Sequence, residues 1–281
     1  MTEAIPRIPL DEWTRSVVDW MTNADFIFDS IEQVISWILQ GLYWGMDLVP
    51  ALLFIAILTA VTYFFAGRKI GLTAFVFFGL LLIVNLGFWD DMITMLSLIL
   101  AATILSIVIG VPIGIWMAKN NTVEAIVKPI LDFMQTMPAF VYLIPAVAFF
   151  GIGMEPGVIA SVIFGMPPTI RLTNLGIREV STEAIEAADA FGSTGTQKLF
   201  KVQLPMAKTT IMAGVNQTIM LSLSMVVIAS MIGADGLGDI VYTAVGRNDV
   251  GSGFEAGLAI VVVAIILDRL TAGFGLRKRK S

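Results

Sequence analysis

Glu183, Glu186 and Asp189 recur at three-residue spacing inside one soluble-looking island of a very apolar chain, Ser181–Pro205, which reads STEAIEAADAFGSTGTQKLFKVQLP. Wound at ~100° per residue, the three carboxylates share one helix face, and Ile185, Ala188 and Phe191 share the opposite one. Acid–base work by these groups would need partners that the chain lacks. It contains no His and no Cys, so the commonest general base, the usual zinc ligand, thiolate nucleophiles and disulfides are all absent. No paired-carboxylate constellation replaces them. No catalytic residue and no metal site are therefore expected, and a membrane enzyme is disfavoured.

The island instead has the marks of a short helix that needs a surface to lie against. Ser181 is placed to cap its N-terminus, with Glu183 in the first turn where the helix dipole favours a carboxylate. Gly192 comes where a left-handed C-cap is wanted. A second short helix can start after Ser193 or Thr196, with Pro205 closing it. The first helix is about ten residues long and too short to be stable alone in water. Read from its residues alone, it either packs on its own chain or seats in a partner.

Glu186-Ala187-Ala188, three residues, Gly192, nine residues, then Val202-Gln203-Leu204-Pro205 resembles the EAA signature (E-A-A-x3-G-x9-I-x-L-P) of permease subunits in bacterial binding-protein-dependent ABC importers. Val202 in place of Ile is the only departure and is close in volume. The resemblance implies that Glu186, Ala187, Ala188, Gly192, Leu204 and Pro205 form a coupling element that fits a cleft on an ATPase subunit.

The elements that must position this island are membrane helices. The 281 residues are 57% hydrophobic and 14% charged, with a mean hydropathy of +0.87. Ordinary soluble domains run near 25% charged. An all-α polytopic membrane protein is expected. The N-terminus is polar and acidic rather than basic before an apolar core, so no cleavable signal peptide is expected. Residues 1–47 read as an extracytoplasmic or interfacial amphipathic segment, because Asp29 and Glu32 make spanning costly.

Apolar runs of ~20 residues suffice to cross, and spans are expected at about 48–66, 70–88, 92–117, 133–153, 157–175, 207–232 and 254–274. Pro167-Pro168 is expected to break the fifth. The segments would divide as an N-terminal helix pair (48–91), a core (92–276) carrying the loop 181–205, and a basic tail (277–281). Lys and Arg adjoin the spans in one set of loops: Arg68-Lys69, Lys119 with Lys128, Arg178 to Lys208, and Arg277–Lys280. The alternate set is acidic: Asp90-Asp91, Glu155, and Asp235 to Glu255, with Arg247 its one base. By the positive-inside rule the basic set is cytoplasmic, the N-terminus outside and the C-terminus inside. The island then falls on the cytoplasmic side.

Gln135, Thr136, Asn216 and Gln217 are polar within spans. Such groups turn toward neighbouring helices or a wet cavity, and these four are the candidates for lining a pathway. Gly110–Gly114, Pro138, Pro145 and Gly165–Pro168 either serve close packing or shape that pathway. Asp132 is read as an interface acid within reach of Lys128. No membrane-centre charge is evident, which disfavours a proton-coupled secondary transporter. A Walker A pattern is absent, and Gly233–Gly238 reads as a tight external turn.

PILDFMQTMPAFVYLIPAV (129–147), SVIFGMPPTIRLTNLGI (161–177), the island, and NQTIMLSLSMVVIASMIGADGLG (216–238) are together similar to the glycine betaine/proline betaine permeases of bacterial osmoprotectant importers. That resemblance implies a multi-pass inner-membrane subunit with a five-helix core. It also implies a second permease copy, two ATPase subunits that carry ATP and Mg, and an extracytoplasmic substrate-binding protein. No cofactor in this chain and no nucleic acid would be involved. Choline, carnitine or proline are the alternative substrates.

Overall fold

The computed structural model describes residues 25–65 and 69–276, with isolated positions between 9 and 18. The expected features of the first 24 residues and of the tail Arg277–Lys280 lie outside the described residues. Every regular element described is helical: α1 Asp25–Asp47, α2 Ala51–Phe65, α3 Ile70–Asn85, α4 Trp89–Lys119, α5 Asn121–Thr136, α6 Leu143–Phe150, α7 Met154–Arg178, α8 Thr182–Ala190, α9 Gly195–Lys198, α10 Leu204–Ala229, α11 Leu237–Arg247 and α12 Val250–Leu276.

Four helical segments are long and apolar enough to cross a membrane: Trp89–Lys119, Met154–Arg178, Gly195–Ile232 and Val250–Ala272. They match the third, fifth, sixth and seventh expected spans. The first two fall on α2 and α3, which are only 15 and 16 residues long. α1 meets α2 at 95°, and its Ile35 and Leu39 are buried in the core.

Two expectations about the spans are corrected. The fourth span is not one helix. α5 stops at Thr136, a 3₁₀ turn covers Ala139–Tyr142, and α6 follows, with the two halves bent by 111°. Pro138 is the cause: it disfavours the helical conformation at Met137, which is extended with ψ 137°. The Tyr142 hydroxyl donates to the Met134 carbonyl and fixes the bend.

Pro167-Pro168, by contrast, does not break α7. Both prolines are buried, and α7 and α10 pack against each other along this turn, so tertiary contact overrides the local preference. Gly233, left-handed at φ +84°, opens the turn that leads into α11, which pairs with α12.

The centre is α7, flanked by α4 and α10. A Cβ added to Gly114 would stand 2.6 Å from Thr173 Cβ and 2.7 Å from the Ile170 carbonyl, so the α4 and α7 backbones touch there. In lipid, helices gain from such approach through van der Waals contact and hydrogen bonds rather than from expelling water. Thr169 and Thr218 share a 2.8 Å hydroxyl hydrogen bond across the α7–α10 seam. α10 runs antiparallel to α7, and the loop between them is the island.

Candidate functional site

The island folds from its own capping residues. Ser181 Oγ accepts from the Ala184 amide at 3.4 Å and starts α8. Gly192 ends it at φ +72°, a conformation that favours glycine. The Ser193 amide donates to the Ala188 carbonyl at 3.0 Å and the Gly192 amide to Asp189 at 2.9 Å, which satisfies the last carbonyls. Thr194 and Gln197 then form a reciprocal capping box that opens α9. Lys198 Nζ reaches both Asp189 carboxylate oxygens, at 2.6 and 2.8 Å, and ties α9 back to α8.

Pro205 does not close the second helix. Gly195–Ile232 is one continuous 38-residue helix, about 57 Å at 1.5 Å per residue, well beyond a ~30 Å hydrocarbon core. A π-turn over Leu199–Gln203 precedes Pro205. The extra residue in that turn accommodates a ring that would clash with a regular α-helical carbonyl. Leu204 packs with Ile177, Leu199, Ala207 and Ile211, anchoring the second turn to the end of α7.

Exposure divides α8 differently from the expected two faces. Ala188 is buried, with Ala184 and Ile185 half-buried against the chain's own body. Glu183, Glu186, Ala187 and Ala190 are exposed. Phe191 is 90% exposed and Phe200 62%. Each three-residue step drifts ~60° round a helix, so Phe191 stands ~120° from Ile185 and clears the surface that Ile185 touches. Asp189 is held by Lys198, while Glu183 and Glu186 have no ion pair among the described residues. The product is a doubly capped, rigid knob with two carboxylates and a bare aromatic ring.

The pathway candidates separate. Asn216 donates to Asp268 at 3.1 Å and accepts from Thr271, joining α10 to α12. Gln217 is exposed. Gln135 and Thr136 are exposed at the end of α5, just before the bend. Asp132 pairs not with Lys128 but with Arg171 on α7, at 2.5 Å. Arg171 lies within a span, so a charge does occur there, neutralised by its partner.

A second cluster escaped sequence reading altogether. Arg178, three residues before the Ser181 cap, donates to the Met117 carbonyl at 2.8 Å, Asn121 Oδ1 at 2.9 Å and Asn174 Oδ1 at 3.0 Å. It also pairs with Glu124 at 2.9 Å, and Asn174 donates to the same carboxylate. These residues come from α4, α5 and α7, and no local spacing links them.

Apolar helices long enough to cross a membrane are here interrupted by one capped polar knob. The chain belongs to the family of binding-protein-dependent transport system inner membrane components, whose model matches residues 110–280. Among its relatives is the glycine betaine/carnitine transport permease protein GbuB of Listeria monocytogenes, 64% identical over 99% of both chains. The glycine betaine transport system permease protein OpuAB of Bacillus subtilis is 52% identical over 99% of this chain and 98% of its own. ProW of Escherichia coli, a glycine betaine/proline betaine transport system permease protein, is 46% identical over 97% of this chain and 77% of its own. Over much of the chain the fold is also that of a solved ABC transporter. A chain of the MetNI methionine ABC transporter, in inward-facing conformations, superposes with a TM-score of 0.61 over 65% of this chain and 91% of that one, at 20% identity. The molecule is thus a multi-pass membrane transport subunit.

Proposed function

We propose that this chain is the permease subunit of an ATP-driven importer for glycine betaine. Two copies form the translocation pathway, two ATPase subunits supply the energy, and an extracytoplasmic binding protein delivers the substrate. The observation that carries the reading is the α8 knob, with Phe191 90% exposed at the end of a loop rooted in α7 and α10. An exposed ring on a rigid, capped helix suits a cleft on a partner, where buried aromatic side chains dominate binding energy. Closure of the ATPase pair pulls two such knobs together and swings α7 and α10, a rigid-body switch at an interface. ATP and Mg sit on the ATPase, so this chain performs no bond chemistry.

The orientation follows the basic loops: the knob is cytoplasmic, the N-terminus outside and the C-terminus inside. Residues 1–47 serve as an external segment, 48–91 as an added helix pair and 92–276 as the core. Glu186, Ala187, Ala188 and Gly192 form the docking helix, and Leu204 and Pro205 its anchor. Gln135, Thr136, Asn216 and Gln217 are the residues proposed to line the pathway, Asn216 also bonding Asp268 and Thr271 on α12.

Glycine betaine is favoured as substrate by the names of the three relatives at 46–64% identity. A quaternary ammonium is held by cation–π attraction in an aromatic cage, which the binding protein supplies. Carnitine is the second substrate reading, because it stands in the name of the relative at 64% identity. Reconstitution of the chain in proteoliposomes, with and without its ATPase and binding protein, tests the reading with labelled glycine betaine and carnitine. Uptake is expected only with all components and ATP. Uptake by this chain alone would make it a secondary transporter.

A further inference from the structure

The link between α8 and the bent α5–α6 segment runs through two arginines. Arg171 and Arg178 stand two turns apart on α7, about 10 Å along the axis. Asp132 and Glu124 stand at matching heights on α5, which runs the opposite way, and the pairs close at 2.5 and 2.9 Å. Two rungs fix both the position and the direction of a helix, where one would leave a pivot. Apolar contact adds to the rungs. Leu131 is the one fully buried residue of α5, packed with Met117 and Ile170, and Val123, Val127 and Met134 are partly buried in the same cluster.

The rungs are unequal. Arg178 is bonded through Nε and Nη2 to four residues on three helices. Arg171 holds Asp132 by a single nitrogen, and its Nε is buried without an acceptor. A guanidinium has five donors in a fixed fork, so Arg171 is the weaker link and Arg178 the hub. Glu179 and Val180 alone separate Arg178 from the Ser181 cap of α8.

We propose that Arg178 is a positioning residue through which displacement of α8 is passed to α5, so that α5 and the bend at Met137–Pro138 move with the coupling loop. The bend carries Gln135 and Thr136, and Tyr142 locks it from the far side. Without Arg178, α8 still seats on the ATPase, but α5 no longer follows. Hydrolysis and transport then separate. This rests on the importer reading above.

The test uses the assembled complex in proteoliposomes and follows both ATP hydrolysis and substrate uptake. In Arg178→Gln and in Glu124→Gln, uptake per ATP is expected to fall about tenfold or more, while ATP hydrolysis stays within about twofold. Because the chain has no Cys, spin labels at Lys128→Cys and Thr182→Cys report the α5–α8 distance directly. The distance should stay constant between nucleotide-free and ATP-trapped states, and vary once Arg178→Gln is added. Unchanged uptake per ATP in Arg178→Gln, or an α5–α8 distance that changes in the chain with Arg178 intact, overturns the linkage. Uptake that ignores ATP in the unsubstituted complex overturns the importer reading and the linkage with it.

Discussion

Thr218 on α10 donates its hydroxyl to the Gly165 carbonyl of α7 at 2.7 Å, two residues before Pro167-Pro168. With its proton so used, the same oxygen accepts from the Thr169 hydroxyl at 2.8 Å. One buried hydroxyl thus bonds α10 to a backbone group and a side chain in the most proline-rich turn of the span. Thr218→Val keeps the shape but leaves both partners without it. A loss of about 1–3 kcal/mol is expected, the usual cost of orphaned buried polar groups, read as a lower thermal midpoint in detergent.

Gly114 offers the complementary test, of volume instead of polarity. The atoms facing it are the Thr173 side chain and the Ile170 carbonyl, and the latter belongs to backbone that cannot rotate away. Gly114→Leu should force α4 and α7 apart and destabilise by about 1–3 kcal/mol, as overpacking does. Gly71, with nothing within 4 Å of an added Cβ, is the control, and its leucine variant should melt with the unsubstituted chain.

Phe191 separates docking from folding. It is 90% exposed, so Phe191→Ala should leave the melting midpoint unchanged. If its ring fills a pocket on the ATPase, truncation should cost 2 kcal/mol or more, about 30-fold in the affinity of the subunits for one another. Titration of the ATPase onto the permease in nanodiscs measures this.

Asp249 predicts a pH response at the start of α12. Its carboxylate accepts from the Ser252 hydroxyl at 2.7 Å and from the Ser252 amide at 3.2 Å. These bonds hold its pKa below the ordinary carboxylate value. A depressed pKa means that the cap contributes fully above the ordinary carboxylate range near ~4 and is lost as pH falls through the folded value. Amide exchange in the first turn of α12 should therefore accelerate on acidification below that range. In Asp249→Ala the same amides should exchange fast at every pH.

The knob was legible in the sequence because its determinants are local. Ser181, Gly192 and the Glu186–Pro205 spacing act over a few residues, and the caps form where those residues stand. The four long spans were legible for the same reason, since apolar length is a local sum. What escaped depends on distant partners. Pro138 ends a helix while Pro167-Pro168 does not, because the latter pair is buried against α10. Pro205 was expected to stop a helix, but the π-turn ahead of it makes room. Arg178 reads in the sequence only as a basic loop residue: Met117, Asn121, Glu124 and Asn174 come together only when α4, α5 and α7 do.

The central claim is that the α8 knob faces the cytoplasm and seats in the ATPase. With no native Cys, Ala190→Cys, exposed beside Phe191, gives a unique reactive site in this chain that keeps the docking ring, and a membrane-impermeant maleimide can probe it. The account predicts no labelling in intact cells. In inside-out vesicles it predicts labelling when the ATPase is absent and protection when it is bound. Labelling in intact cells, or equal labelling with and without the ATPase, would contradict it.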